Sequence, residues 1–252
     1  MQDQFFSCDI TDKIVACLDC PCQVFPPMED AAPLIEAYQI ALQEGKTEGF
    51  TPVLVAADDL LLEELTLDEE GEELSSQQAA QRRAKLLETP LPSVQELLTQ
   101  WGADLDKEWL KKVEGQLAKG DTIAEFASFE DYSSDNGRTL PVVLAKIPTR
   151  EPWKIFAWLP MGGWNECPDP VSMMAICKYW YEAHRAVPAA MSHDILEFSL
   201  ERPLSDPETA WKLAREQYAF CPDRIDQAGK NASIGQLADT LLRSTVWFFW
   251  WD

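Results

Sequence analysis

The sequence predicts an α/β fold, or α+β by a strict count: a mixed β-sheet covered by helices, with the C-terminal strand central. Three observations lead there. Apolar-periodic segments opened by Ser, Asp or Pro mark helices along the whole chain. Short runs rich in Val, Ile, Leu, Phe and Trp stand between them as strands. The chain ends in VWFFWW, with Val246, Phe248 and Trp250 on one face of a strand and Trp247, Phe249 and Trp251 on the other. Both faces are apolar, which places this strand in the middle of the sheet, covered on both sides. At 252 residues, 46% of them apolar, the chain can build a core without metals or disulfides.

The elements follow in order. The start, through CLDCPC to FPP, carries no clear periodicity. From Asp30, Leu34, Ile35, Tyr38 and Leu42 fall at helical spacing, with Gly45 near the end of that helix. GFTPVLVAA is a short buried strand. DDLLLEELTLDEEGEEL is a helical turn running into acids: seven of them within Glu63–Glu73 cannot pack together, so this is a solvated helix end or a loop. SSQQAAQRRAKLLE is helical and stops at Pro90 and Pro92. Ser93 and Glu96 form a capping box that opens VQELLTQW, and a further amphipathic helix surrounds Trp109 and Leu110. EDYSSDNGRT is a linker, beyond which the texture changes, because eight of the ten tryptophans lie after residue 150. The chain is therefore expected to divide into an acidic, mostly helical region, 1–130, and a Trp-rich α/β domain, 131–252.

In the second region LPVVLAKI and WKIFAWLP read as two strands joined by PTREP. Asp169 caps a helix through VSMMAICKYWYEAHR, with Pro170 at its first position. VPAAM and ILEFSLE are strands flanking a turn, with Leu196, Phe198 and Leu200 facing one way and Glu197, Ser199 and Glu201 the other. Ser205 and Glu208 form a second capping box around Pro207 and start a helix that runs to Phe220. Ser233 and Gln236 start the last helix, closed by Arg243. Helices 170–186 and 207–220 are expected to cover the sheet.

Charge limits the function classes. Residues 1–130 hold 27 acids and 9 bases, net −18, and residues 131–252 hold 16 acids and 12 bases, net −4. Such a field repels nucleic acid and anionic membrane, so neither is an expected partner; it is compatible with a basic protein partner, against the plainer reading that the charge serves solubility alone. The opening MQDQFFSCDITDK has no signal-peptide pattern, and the terminal apolar run of six residues is far too short to span a bilayer. The expected compartment is the cytoplasm, where the seven cysteines are reduced thiols or metal ligands.

Chemistry-bearing residues cluster in three places. Cys-Pro-Asp occurs twice, at Cys167–Asp169 and Cys221–Asp223. A thiol near a helix N-terminus is activated by the dipole, so Cys167 is the best-placed nucleophile, against a plainer reading as a small buried Cys beside a capping Asp. Neither His184 nor His193 is placed by the sequence to serve as its base. Glu166, Asp169, Asp223, Asp226 and Asp252, with Asn165 and Gln227, are candidates to surround a cation, though their spacing fits no metal loop. At the start, Cys8, Cys17, Cys20 and Cys22 are weak zinc candidates. Cys17-x-x-Cys20 has knuckle spacing, but Cys20-Pro21-Cys22 is too tight for ordinary tetrahedral ligation by both thiols. Gly162 and Gly163 fall short of a dinucleotide or P-loop fingerprint, which rules out only those familiar phosphate sites and leaves the cofactor unknown.

If WKIFAWLP and VWFFWW run parallel, their ends bring the Gly162–Cys167 loop, the start of the helix after Asp169, and Asp252 together. Ligands of α/β sheets bind outside such strand ends. Crowded carboxylates there call for a cation or a basic side chain, Arg224 or Arg185.

GGWNECPDP, LAREQYAFCPDRIDQ and VWFFWWD, in that order, resemble a bacterial family known as domain of unknown function 4253, over roughly Leu140 to Asp252. AYQIALQEGKTEGFTPVLV is similar to the leader of longer members, whereas the cysteine-rich start is outside that pattern. The resemblance implies a soluble bacterial protein of a family with no established activity. It marks Trp164, Asn165, Cys167, Pro168, Cys221, Pro222, Asp223, Gln227, Trp250, Trp251 and Asp252 as matching positions. Two function classes follow. One is a non-enzymatic interaction protein, an acidic antagonist of a basic partner in the manner of immunity proteins. The other is an enzyme or a small-ligand or metal-binding domain, sited around Trp164–Asp169 and Asp252.

Overall fold

Many of the helices start where a short polar side chain satisfies the first N–H groups. Asp58 accepts from Leu61 N, Ser75 closes a full capping box with Gln78, and Asp106 accepts from Trp109 N. The computed structural model describes residues 8–68, 70–132, 137–229 and 232–252. In chain order the helices are α1 (Cys8–Leu18), α2 (Ala32–Glu48), α3 (Asp59–Thr66), α4 (Ser76–Glu88), α5 (Val94–Asp104), α6 (Lys107–Glu114), α7 (Pro170–His184), α8 (Pro207–Phe220), α9 (Asp223–Asp226) and α10 (Ile234–Leu241). The strands are β1 (Cys22–Phe25), β2 (Thr51–Ala56), β3 (Val142–Ile147), β4 (Val187–Met191), β5 (Ile195–Ser199) and β6 (Val246–Trp250). They form a mixed sheet in the order β1-β3-β2-β4-β5-β6, so the fold is the mixed α/β expected.

The chain divides into two compact units whose segments interleave. The first unit comprises residues 1–89, 127–161 and 189–193. There β3 pairs antiparallel with both β1 and β2, and β2 pairs in parallel with β4 through Leu54↔Ala190 and Val55↔Met191. All six residues of β2 are buried, as a strand flanked on both sides requires. The sequence reading assigned no element to α1 or β1. α1 forms because Ile14 and Leu18, four apart and fully buried, give it one apolar stripe. The acids after α3 make an ordered turn closed by Gly71. In it the Asp68 carboxylate accepts from Glu70 N at 3.0 Å and Glu72 N at 2.9 Å.

One predicted strand of this unit is not a strand. WKIFAWLP holds a 3₁₀ helix, Pro152–Ala157, with Lys154 N bonding Glu151 O at 2.9 Å and Trp158 N bonding Ile155 O at 2.8 Å. Trp153, Ile155, Phe156 and Ala157 are all buried. A segment apolar on every side has no period to read, and Pro152 at its start suits a tight helical turn.

The second unit comprises residues 90–126, 162–188 and 194–252. β5 and β6 pair antiparallel in register, Ile195↔Trp250 through Ser199↔Val246. Leu196 and Phe198 of β5 share a face with Phe249 and Trp247 of β6, and α7 and α8 both cover this face. Trp180 of α7 is its hub. It stacks on Phe249 at 5.5 Å and meets Phe198, Phe220 and Trp247 edge-on at 5.0–5.9 Å.

Three expectations are corrected in this unit. β6 is not central: it ends the strand order, at the sheet edge. Its faces are covered as a central strand's would be, and the 120–126 segment caps the start of the edge, with Thr245 N and Val246 N both bonding Ile123 O. Apolarity on both faces reports coverage of the faces and says nothing about the edge. Glu197, expected to face solvent, is fully buried, on the face shared with Phe248 and Trp250. The cap of α8 is Asp206, which accepts from Thr209 N at 2.7 Å, rather than Ser205. Ser93, Asp169 and Ser233 cap as expected.

Candidate functional site

The candidate residues meet at the end of β6, within the second unit. β6 delivers Asp252 to the loop before α7, where the Asn165 amide donates to the Asp252 backbone O at 2.6 Å. Asn165 sits at φ 45°, in the left-handed region that Asn tolerates better than most residues. The turn around it is tight: Gly163 N bonds Cys167 O at 3.1 Å, and Cys167 N bonds Trp164 O at 2.9 Å. Gly162 makes this turn feasible. A Cβ there would lie 2.0 Å from Pro168 O, at a φ of 95°.

From the other side, Gln227 Nε2 bridges two carboxylates, donating to Asp252 Oδ2 at 3.2 Å and Asp223 Oδ1 at 3.3 Å. Asp223 Oδ2 accepts from Asp252 N at 3.1 Å. Amide donors thus relieve the crowding of Asp223 and Asp252 that a cation or arginine was expected to relieve. Arg185 is elsewhere, capping α7 and lying over the Tyr181 ring at 5.3 Å. Asp226 accepts from Trp109 Nε1 at 2.6 Å and Tyr218 OH at 3.1 Å. Burial, and then that carboxylate, hold the Tyr218 phenol well above its ordinary value.

Asn165, Asp223, Gln227 and Asp252 are therefore joined directly, while the other candidates have different work. Asp169 is occupied as a cap, its carboxylate accepting from Val171 N at 2.9 Å, Ser172 N at 3.1 Å and Ser172 Oγ at 2.6 Å. Trp164 is half-buried in the turn, and Glu166 is exposed. Cys167 is buried beside the cap, and Cys221 is fully buried, its thiol donating to Trp250 O at 3.0 Å. Burial pushes the Cys221 thiol up to about 12, so it is protonated at neutral pH. The expected neighbourhood of Asp252 and the 162–167 loop thus forms, but not by parallel strands, since WKIFAWLP is no strand and β6 pairs only with β5.

Residues 143–252 match the family described as "Domain of unknown function (DUF4253)". This stretch is a DUF4253 domain. The match covers the three motifs at Gly162–Pro170, Leu213–Gln227 and Val246–Asp252, and the AYQIALQEGKTEGFTPVLV segment lies outside it. No curated protein and no solved structure matches the chain.

Within the DUF4253 domain the C-terminal motif has a second side. Phe248 and Trp250, on the face turned away from α7 and α8, help to line an open cleft of about 330 Å³. Ile123, Leu237, Ser233 and Thr240 contribute to its walls, with Asp121, Asp223 and Arg224 as the charged residues among them. The sequence reading missed this cleft because its lining comes from a loop, two helices and a strand. Alternation along β6 was the one legible signal for Phe248 and Trp250.

The N-terminal thiols are separate. Cys20 and Cys22 Sγ atoms lie 3.9 Å apart, and their mutual hydrogen bond raises one thiol and lowers the other. Burial raises Cys17. The Cys8 side chain lies outside the described residues. Among the described residues no three His, Cys, Asp or Glu side chains converge to hold a metal ion, and no helix is long and apolar enough to cross a membrane.

Proposed function

We propose that this chain is a non-enzymatic binding protein whose acidic surface takes a basic protein partner. The observation that carries the reading is charge set on the surface without compensation. Net −18 falls on residues 1–130. Glu63 in α3 and Glu70, Glu72 and Glu73 in the turn after it are exposed, and none makes an ion pair among the described residues. Carboxylates left in this way contribute little to folding, repel one another, and accelerate encounter with a positive surface.

The chemistry of the DUF4253 domain supports binding over catalysis. A thiol nucleophile needs a lowered pKa and access. Cys221 has a raised pKa and no exposure, and Cys167 is buried behind the α7 cap. The Asp223–Gln227–Asp252 cluster is held together by its own hydrogen bonds.

The test is capture on the immobilised full chain from a bacterial lysate, at about 50 mM and about 300 mM salt. The quadruple variant Glu63→Gln, Glu70→Gln, Glu72→Gln, Glu73→Gln runs alongside. A basic protein retained at low salt, released at the higher salt and weakened in the variant supports the reading. Retention that ignores both salt and the variant, or no basic protein at all, contradicts it.

A further inference from the structure

Arg224 is the anomaly of the DUF4253 domain. Its guanidinium lies over the Phe249 ring at 4.7 Å, and its Nη1 donates to the Gln217 amide oxygen. Gln217 is fully buried, and its Nε2 has no acceptor among the described residues. Among the described residues no carboxylate is within ion-pair reach of Arg224. Burial lowers this guanidinium to about 10, which leaves it charged at neutral pH. Arg224 is half-buried, and a guanidinium partly withdrawn from water is stabilised by an anion that can pair with it. Among the described residues its partners are a neutral amide and a ring, and the side chain forms part of the wall of an open cleft. The missing anion therefore has a place to come from outside the chain.

The rest of the wall narrows the class of anion. A guanidinium fork matches carboxylate and phosphate alike. Asp121 and Asp223, however, also line the cleft, and they repel a dianion about twice as strongly as a monoanion. Ile123, Leu237, Phe248 and Trp250 supply apolar surface for the body of a ligand. A volume of about 330 Å³ sits at the small end of ligand sites. We propose that this cleft binds a small monocarboxylate with an apolar body, the carboxylate on Arg224 and the body against Phe248 and Trp250. The site does not rest on the basic-partner reading, whose glutamates belong to the first compact unit.

The probe is 3-phenylpropionate, titrated calorimetrically into the full chain, with inorganic phosphate and phenethylamine at matched ionic strength. Saturable binding of 3-phenylpropionate is expected, with phosphate and the amine at least about tenfold weaker. Arg224→Lys keeps the charge and loses the fork, and should weaken binding about tenfold or more. Asp121→Asn, at an exposed position, should tighten it about two- to threefold by removing a like charge. If Arg224→Lys does not fold, the Asp121→Asn titration decides alone. The proposal is overturned by no saturable signal up to about 10 mM, by equal affinity for phosphate or the amine, by a folded Arg224→Lys that binds as the parent does, or by Asp121→Asn leaving affinity unchanged.

Discussion

Phe248 and Phe249 are neighbours in sequence with opposite surroundings, and truncating each in turn tests the geometry of β6. Phe249 is fully buried, stacked on Trp180 at 5.5 Å, edge-on to Phe198 at 5.6 Å and Phe220 at 5.1 Å, and it carries the Arg224 guanidinium at 4.7 Å. Phe→Ala in a core costs about 3–5 kcal/mol through lost transfer energy and the cavity left behind. The upper end applies here, because four rings, Trp251 among them, and a cation lose their partner together. Phe248 is half-buried at the cleft, so its truncation removes less area and opens no closed cavity, at about 1.5–2.5 kcal/mol. A domain of ordinary stability, about 5–15 kcal/mol, survives the second change and is close to failing after the first. Urea unfolding followed by far-UV circular dichroism, with the slope m checked for constancy, reads both losses. Equal losses, or a larger one at Phe248, would refute the assignment of faces.

Two further predictions concern the Cys-Pro-Asp segments. The Cys221 thiol is raised from its ordinary 9.0 to about 12 by burial. Its contribution is therefore fully present below pH 9 and is lost as pH rises toward 12, at about 1.4 kcal/mol per pH unit. Denaturation midpoints of the parent and Cys221→Ala, followed from pH 8 to 11, should converge with rising pH; parallel curves would deny the shift. Gly162→Ala should destabilise by more than about 2 kcal/mol, combining a left-handed φ with a Cβ contact of 2.0 Å to Pro168 O. At Gly163 a Cβ meets nothing within 4 Å, so Gly163→Ala should cost less, and a thermal melt showing the reverse order would contradict the loop geometry.

Much of the fold was legible because its signals are local. The caps at Ser93, Asp169 and Ser233, and the apolar periodicity of α2 and α7, state helix starts and buried faces without reference to the rest of the chain. Register and neighbours are not local. VWFFWW shows two covered faces whether it is flanked by two strands or by one strand and a loop, and only the Ile123 carbonyl distinguishes the cases. Pro152–Ala157 is buried except at Lys154, so neither period is written in it. The site was legible in part for the same reason. The end of β6 and the 162–167 turn are motifs in the sequence, and they do meet. Arg224 was noticed for its charge and assigned to Asp252, but its partners, Gln217 and Phe249, are set by how α8, α9 and β6 pack together.

The most direct test of the account is the association rate of the captured partner, measured by stopped flow or surface resonance across ionic strength. If surface carboxylates steer a basic protein to this chain, the rate falls at least about tenfold between about 50 mM and 300 mM salt. The quadruple glutamate-to-glutamine variant should then show a shallower dependence, converging with the parent at high salt. A rate that changes less than about twofold over that range, and identically in the variant, would contradict the central claim.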